Sequence, residues 1–240
     1  MITIEAPAKL TRSLRITGVR ADGYHLIDAE MVTLELCDRL SFDAGSGLTI
    51  DGPFAAGVPD DASNLVARAL RLVGRDAAVE VHKAIPHGGG LGGGSADAAA
   101  VFRWAGFDDL VAASRLGADI PFCMVGGRAR VRGIGELIEP LPTVAADVTL
   151  VIPPLSVSTP AAYRAWDELG GPTADGPNDL EPAAIAVVPE LARWRDRIAE
   201  LAGVAPVLAG SGATWFVEGH RSALRALEPT ATVVFTRTRP

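Results

Sequence analysis

The sequence predicts an α+β protein of two lobes divided near residue 145, and three observations predict it. Short alternating apolar stretches fill the first fifty residues, as antiparallel strands require. A strand then runs through a glycine-rich loop into an alanine-rich helix. Pro140 and Pro142 mark a seam, after which a new set of strands and helices begins. The expected domains are therefore 1–145 and 146–240.

Taken in order, residues 13–17, 30–36 and 39–43 alternate as strands. From Asp61 the pattern changes: Leu65, Val66, Ala69, Leu70 and Val73 recur at helical spacing behind Ser63, the expected cap. Residues 77–85 alternate again and feed the loop Pro86-His87-Gly88-Gly89-Gly90-Leu91-Gly92-Gly93-Gly94-Ser95, which opens into a helix from Ser95 to about Ala105. A second helix is expected over 108–116 and a strand pair over 128–132 and 133–139. Beyond the seam, 148–152 reads as a strand, 159–169 and 189–201 as helices, and 206–217 as a hairpin interrupted by Gly210-Ser211-Gly212. A helix over 221–227 and a strand over 232–236 close the chain, and no repeat of fixed period is visible.

Composition narrows the function. With 240 residues, 48% of them hydrophobic and 21% charged, the chain can bury a core without disulfides or metals. A net charge of −7 and a pI near 5.1 argue against a sequence-independent grip on nucleic acid or an anionic membrane, since both need a basic surface. A small-molecule partner fits better. Cys37 and Cys123 are far apart and give neither a zinc spacing nor a disulfide framework, as expected of reduced cytoplasmic thiols. The N-terminal residues lack a basic region followed by an apolar core, and no apolar run approaches the ~20 residues of a membrane span. A cytoplasmic protein is expected, and the sequence leaves its oligomeric state between monomer and weak homodimer.

The glycine loop is the most informative motif. Glycine removes side chains where backbone amides must approach a ligand, and at a helix N-terminus the free N–H groups and the helix dipole together attract an anion. Phosphate binding is thus compatible with an acidic protein. A flexible linker is the bland alternative, but linkers do not join an apolar strand to a helix. Gly88, Gly90 and Gly93 satisfy G-x-G-x-x-G, with Asp108 and Asp109 about twenty residues on. That fingerprint needs a second strand ending at the acidic residue, whereas 95–116 reads as helix, break, helix. The Walker pattern is absent, because no lysine follows the glycines.

Three separated segments carry a resemblance. Residues 86–98 (PHGGGLGGGSADA) are similar to the ATP loop of the galactokinase, homoserine kinase, mevalonate kinase and phosphomevalonate kinase superfamily, the GHMP kinases. Within it the doubled glycine triplet most resembles the 4-diphosphocytidyl-2-C-methyl-D-erythritol kinases of the non-mevalonate isoprenoid route. Ala6-Pro7-Ala8-Lys9-Leu10 and Arg20-Ala21-Asp22-Gly23-Tyr24-His25 are similar to that family's substrate segments. Leu116-Gly117-Ala118-Asp119-Ile120-Pro121-Phe122, Gly133-Ile134-Gly135-Glu136, Ser158-Thr159-Pro160, Asn178-Asp179-Leu180-Glu181 and Gly210-Ser211-Gly212-Ala213 continue the match. The resemblance implies an N-terminal lobe like the second domain of ribosomal protein S5 and a ferredoxin-like C-terminal lobe. It also implies transfer of the ATP γ-phosphoryl group to the 2-hydroxyl of a cytidine diphosphate-linked methylerythritol, with Mg²⁺.

The implied roles follow residue by residue. Asp119 is the expected catalytic carboxylate, orienting the acceptor hydroxyl and taking its proton; an aspartate before Ile120-Pro121 is also a common helix cap. Lys9 is its expected partner. The ATP segment runs from Pro86 through Ser95 to Ala96. Tyr24 and Tyr163 are expected to sandwich the cytosine and His25 to hydrogen-bond its edge. Thr11 stands where the family carries asparagine, beside the substrate, and 100–117 is shorter than in the family. Gly210, Ser211 and Gly212 read as a second close approach to substrate or as a hairpin turn. Ser95 offers its hydroxyl to Mg²⁺ or phosphate, or caps the following helix. Arg128, Arg130 and Arg132 share one strand face, toward substrate or water. The rival functions are a kinase of the same superfamily acting on another alcohol, and a catalytically silent nucleotide-binding homologue.

Overall fold

The computed structural model describes residues 1–239, so that Pro240, the last residue of the expected second domain, lies outside the described residues. The alternating segments of the first fifty residues join into a long antiparallel hairpin, β1 (Ile2–Val19) with β2 (His25–Asp43), rather than several short strands. They merge because each stretch continues the inward alternation of the last across register shifts, at bulges between Pro7 and Lys9, Thr11 and Ser13, and Ile16 and Gly18. The other edge of β2 is shared. Its C-terminal half pairs with β4 (Ala78–His82), which itself pairs in parallel with β3 (Gly47–Asp51). Its N-terminal half pairs with β5 (Arg128–Gly133), followed by the edge strand β6 (Leu137–Leu141). Pro140, taken above as part of the seam, sits in that edge strand, where a missing N–H is tolerated.

Helices cover one face of this sheet. α1 (Leu65–Leu72) is capped by Asn64, whose Oδ1 accepts the Val66 amide at 2.8 Å, and not by Ser63, whose hydroxyl instead donates to Asp61 at 2.6 Å. α2 (Gly93–Ala105) is the central helix, with every residue from Ala96 to Phe102 buried. Alanine at most of these positions lets the helix lie close against the sheet. α3 (Leu110–Leu116) starts at its cap Asp109, and the short α4 (Ile120–Val125) carries Asp119 at its mouth.

The second sheet holds β7 (Asp147–Ile152), β8 (Val207–Leu208), β9 (Trp215–Glu218) and β10 (Thr232–Arg237) in the antiparallel order β10-β7-β9-β8. That is the 4-1-3-2 order of a ferredoxin-like sheet. α5 (Thr159–Glu168), α6 (Glu181–Val187) and α7 (Glu190–Ala202) fill the first crossover, and a 3₁₀ turn at Ser222–Leu227 replaces the last expected helix. α6 was absent from the expected elements, since its Glu181-Pro182 start reads as a loop. The main core runs across both sheets, from Leu10 and Phe102 to Leu150 and Phe216.

Candidate functional site

Strand alternation places Lys9. Ala8 and Leu10 are fully buried on one face of β1, and Lys9 and Thr11, on the other, are 5% and 1% exposed because Gly92 and Gly210 lie against them. An ammonium so placed needs partners. Lys9 Nζ donates to Thr11 Oγ1 at 3.1 Å and lies 3.1 Å from Asp119 Oδ2. Asp119 occupies the cap position of α4, but its side chain does not cap the helix. Its carboxylate is left for Lys9 and the cavity rather than for the helix end. Thr11 is 1% exposed and its hydroxyl is committed as an acceptor to Lys9, so it positions the lysine as well as lining the cavity.

Lys9, Thr11 and Asp119 line a cavity of about 290 Å³ together with His25, Ser95, Tyr163, Gly210 and Ser211. Leu14, Ile27 and Met31 supply an apolar wall. A second cavity of about 190 Å³ is lined by Pro86 through Gly94, with Lys83, Asp97, Val58, Pro59, Asn64 and Leu65. Gly90 lines both. A larger open groove of about 600 Å³ beside Arg12, Arg128 and Arg221 holds neither Lys9, nor Asp119, nor any glycine of the loop.

The glycines matter here for two reasons, one of which the sequence did not reveal. Gly92 begins α2 with φ of 70°, and the amides of Gly93, Gly94 and Ser95 precede the first helical bond, from Ala96 N to Gly92 O at 2.8 Å. Ala96, expected among the ATP residues, therefore has no free amide, and its side chain is buried. Ser95 lies inside the helix and does not cap it. The second reason is packing. A Cβ on Gly92 would sit 2.7 Å from Lys9 Cγ, and one on Gly90 would sit 2.5 Å from the carbonyl oxygen of Ala209. The loop lies directly on Lys9 and on the 209–212 turn, and Lys9 N donates to Leu91 O at 3.0 Å. Gly92→Ala is accordingly expected to push Lys9 off Asp119 and lower kcat/KM by about a hundredfold, measured in steady state.

Behind the loop lies a buried ionic cluster. Val79 and Val81 face inward from β4, and Lys83 and Ile85, just past its end, continue the alternation; all four are buried. Lys83 Nζ donates to Asp38 Oδ2 and to Asp97 Oδ2, the latter at 2.6 Å. One ammonium cannot neutralise two buried carboxylates. Asp38 Oδ1 accepts the amides of Ala84 at 2.6 Å and Ile85 at 2.8 Å, whereas Asp97 Oδ1 has no partner among the described residues. The proton therefore favours Asp97, whose pKa burial raises to about 7 despite Lys83, with Asp38 adding to the rise. The alternation from Val79 to Ile85 and the lone aspartate in an alanine run were the available signals for this cluster.

The 210–212 turn is held by Asn178, 1% exposed, whose Nδ2 donates to Leu208 O at 2.9 Å and Gly210 O at 2.7 Å. Asp179 joins the same segment to β1, accepting from Arg15 at 2.7 Å and from Ile16 N at 2.9 Å. Ser211 Oγ meets Thr159 Oγ1 at 2.8 Å. His25 and Tyr163 come together with ring centroids 4.7 Å apart. Burial pushes the Tyr163 phenol up, with the Asp119 charge adding to it. Tyr24 is 59% exposed and does not line the cavity, so the structure does not bring the two tyrosines around it. His87 lines only the second cavity and is exposed. The three arginines of β5 pair with Glu30, Asp28 and Glu139 on the neighbouring strands, which settles them as cross-strand ion pairs. Among the described residues no cluster of His, Cys, Asp and Glu suits a metal ion on its own, and no helix is long and apolar enough to cross a membrane.

Residues 64–127 match the model of the GHMP kinases N terminal domain. A 4-diphosphocytidyl-2-C-methyl-D-erythritol kinase of Paracoccus denitrificans is 41% identical over 88% of this chain and 84% of its own length. One from Cereibacter sphaeroides is 37% identical over 93% of this chain and 94% of its own. The crystal structure of a 4-(cytidine 5'-diphospho)-2C-methyl-D-erythritol kinase superposes with a TM-score of 0.80 at 32% identity, covering 100% of both chains. The mevalonate kinase of Methanococcus jannaschii shares the fold, with a TM-score of 0.60 at 12% identity. With a glycine loop lying on a Lys9–Asp119 pair and relatives matched over nearly their whole length, the chain belongs to the 4-diphosphocytidyl-2-C-methyl-D-erythritol kinases of the GHMP kinase family.

Proposed function

We propose that the protein transfers the γ-phosphoryl group of ATP to the 2-hydroxyl of 4-diphosphocytidyl-2-C-methyl-D-erythritol. The observation that carries this reading is the Lys9–Asp119 pair, at 3.1 Å, in a cavity that meets the glycine-loop cavity at Gly90. The loop cavity suits ATP: its first-turn amides receive phosphate, and Val58, Pro59, Leu65 and Asn64 form an apolar wall with one amide for the base. The other cavity suits the acceptor, its cytosine near His25 and Tyr163 and its hydroxyl near Asp119. The lobes meeting near residue 145 would each contribute to it.

In the step itself the acceptor oxygen forms a bond to the γ-phosphorus as the bond from that phosphorus to the β,γ-bridging oxygen breaks, releasing ADP. The hydroxyl proton passes to Asp119, and the Lys9 ammonium offsets negative charge on the transferring group. Ser95 Oγ, which lines the same cavity, would offer its hydroxyl to a Mg²⁺ ion carried with the nucleotide, and the ion would supply charge neutralisation.

The test is ADP release from Mg-ATP with and without 4-diphosphocytidyl-2-C-methyl-D-erythritol, run beside mevalonate, homoserine and other superfamily acceptors. Release that depends on the cytidylated acceptor alone supports the proposal. Turnover on another alcohol, or ATP binding without turnover on any, refutes it.

A further inference from the structure

His25 is held from one side by consecutive turns of α5. Its ring lies 4.7 Å from that of Tyr163, meets Trp166 edge-on at 5.6 Å, and places Nε2 2.8 Å from Asp167 Oδ1. Trp166 is itself fixed, its Nε1 donating to Pro172 O at 2.9 Å. The histidine side chain is 10% exposed while Asp167 is 47% exposed, so the carboxylate sits at the rim and keeps its other oxygen in water. None of the sequence motifs pointed to Asp167.

A carboxylate accepts hydrogen bonds and donates none, so the nitrogen facing it must carry the hydrogen. In a neutral imidazole that leaves Nδ1 as a lone pair, and Nδ1 is the sole ring nitrogen left for a ligand in the cavity that His25 lines. We infer that Asp167 is a specificity-determining residue: by fixing hydrogen on Nε2 of His25 it makes Nδ1 an acceptor that takes an exocyclic amine and rejects a carbonyl at the same position of the base. Cytosine presents that amine and uracil presents that carbonyl. The inference rests on the reading that His25 faces the substrate's base. It goes further in assigning the choice between pyrimidines to a side chain that touches no substrate.

The physical difference is between a hydrogen bond and two facing lone pairs in a partly desolvated site, which discriminates more strongly than shape alone. Without Asp167 the imidazole is free to move its hydrogen to Nδ1 or to turn over, and uracil becomes acceptable. Asp167 acts through His25 and is therefore a positioning residue.

CDP and UDP are suitable probes, because their binding is measured by calorimetry whether or not any alcohol is phosphorylated. The wild-type protein is expected to prefer CDP, and Asp167→Ala to reduce that preference by about tenfold, mainly by tightening UDP. Asp167→Glu should restore most of it. The ¹⁵N shifts of the His25 ring, in mildly alkaline buffer, should report hydrogen on Nε2 in the wild type and a mixture in Asp167→Ala. Asp167 lies at the surface, so the variant keeps its fold, checked by its melting temperature. If wild type prefers CDP and Asp167→Ala keeps the full preference, the role of Asp167 is wrong while the cytidine reading stands. If wild type binds CDP and UDP alike, the cytidine reading fails and this inference with it.

Discussion

Asp119→Asn is expected to lower turnover by about three orders of magnitude while leaving ATP affinity and the melting temperature nearly unchanged. The amide keeps the shape of the side chain but accepts no proton, and it no longer holds the Lys9 ammonium at 3.1 Å by charge. Asp119 is about a third exposed and faces the cavity, and the buried Lys9 ammonium keeps Thr11 Oγ1 and the amide oxygen of the new asparagine as acceptors. Lys9→Ala should cost about two to three orders of magnitude, since it removes the cation beside the transferring group. The double variant should lose little beyond the worse single variant, because the two side chains act as a unit. Steady-state kinetics on all three checks this. Near-normal turnover in either single variant removes that residue from the mechanism.

The second large effect is on stability. Lys83→Met is expected to destabilise the fold by about 3 kcal/mol or more, read from urea unfolding, because it strips the shared ammonium from two buried carboxylates. Asp38 keeps two backbone donors and Asp97 keeps none, so adding Asp97→Asn to Lys83→Met should recover part of the loss. The pH dependence follows from the same asymmetry. The folded pKa of Asp97, about 7, lies above its ordinary value of 3.8, so the folded state holds this proton more tightly than the unfolded chain does. The contribution of Asp97 is therefore fully present below about pH 4 and is lost as the pH rises through about 7. Asp97→Asn removes that loss, and its stability relative to wild type should rise between about pH 4 and about pH 7 and level off above. A difference that stays flat across that range contradicts the assignment.

Much of this architecture was legible because its signals are periodic. The alternation of β4 and its passage into a glycine loop and an alanine-rich helix is local, and so is the apolar run of β7. The extent of β1 and β2 was not, because bulges interrupt the alternation and only pairing along the whole hairpin reveals one element. The cap of α1 moved from Ser63 to Asn64 for a reason no spacing rule contains: Ser63 is already bonded to Asp61. At the site, Lys9 and Asp119 were assigned from motifs 110 positions apart, and their contact depends on tertiary packing. The cluster around Lys83 was missed because a lysine after a strand reads as a solvated end. Its burial comes from α2 closing over it with Asp97. Thr11 shows the reverse case: expected beside the substrate, it lines the cavity and its hydroxyl also holds Lys9, a contact that no motif contains. Tyr24 carries the motif but stands outside the cavity, since the turn that bears it projects into solvent.

The glycine loop, the Lys9–Asp119 pair and the His25 pocket are together read as one two-substrate site. The most direct test is to incubate the enzyme with Mg-ATP and 4-diphosphocytidyl-2-C-methyl-D-erythritol and to follow the product by phosphorus NMR. A new phosphate monoester on the 2-oxygen, formed with one equivalent of ADP and abolished by Asp119→Asn, is the predicted result. ADP without a new ester, or an ester that Asp119→Asn forms as fast as wild type, would contradict the account.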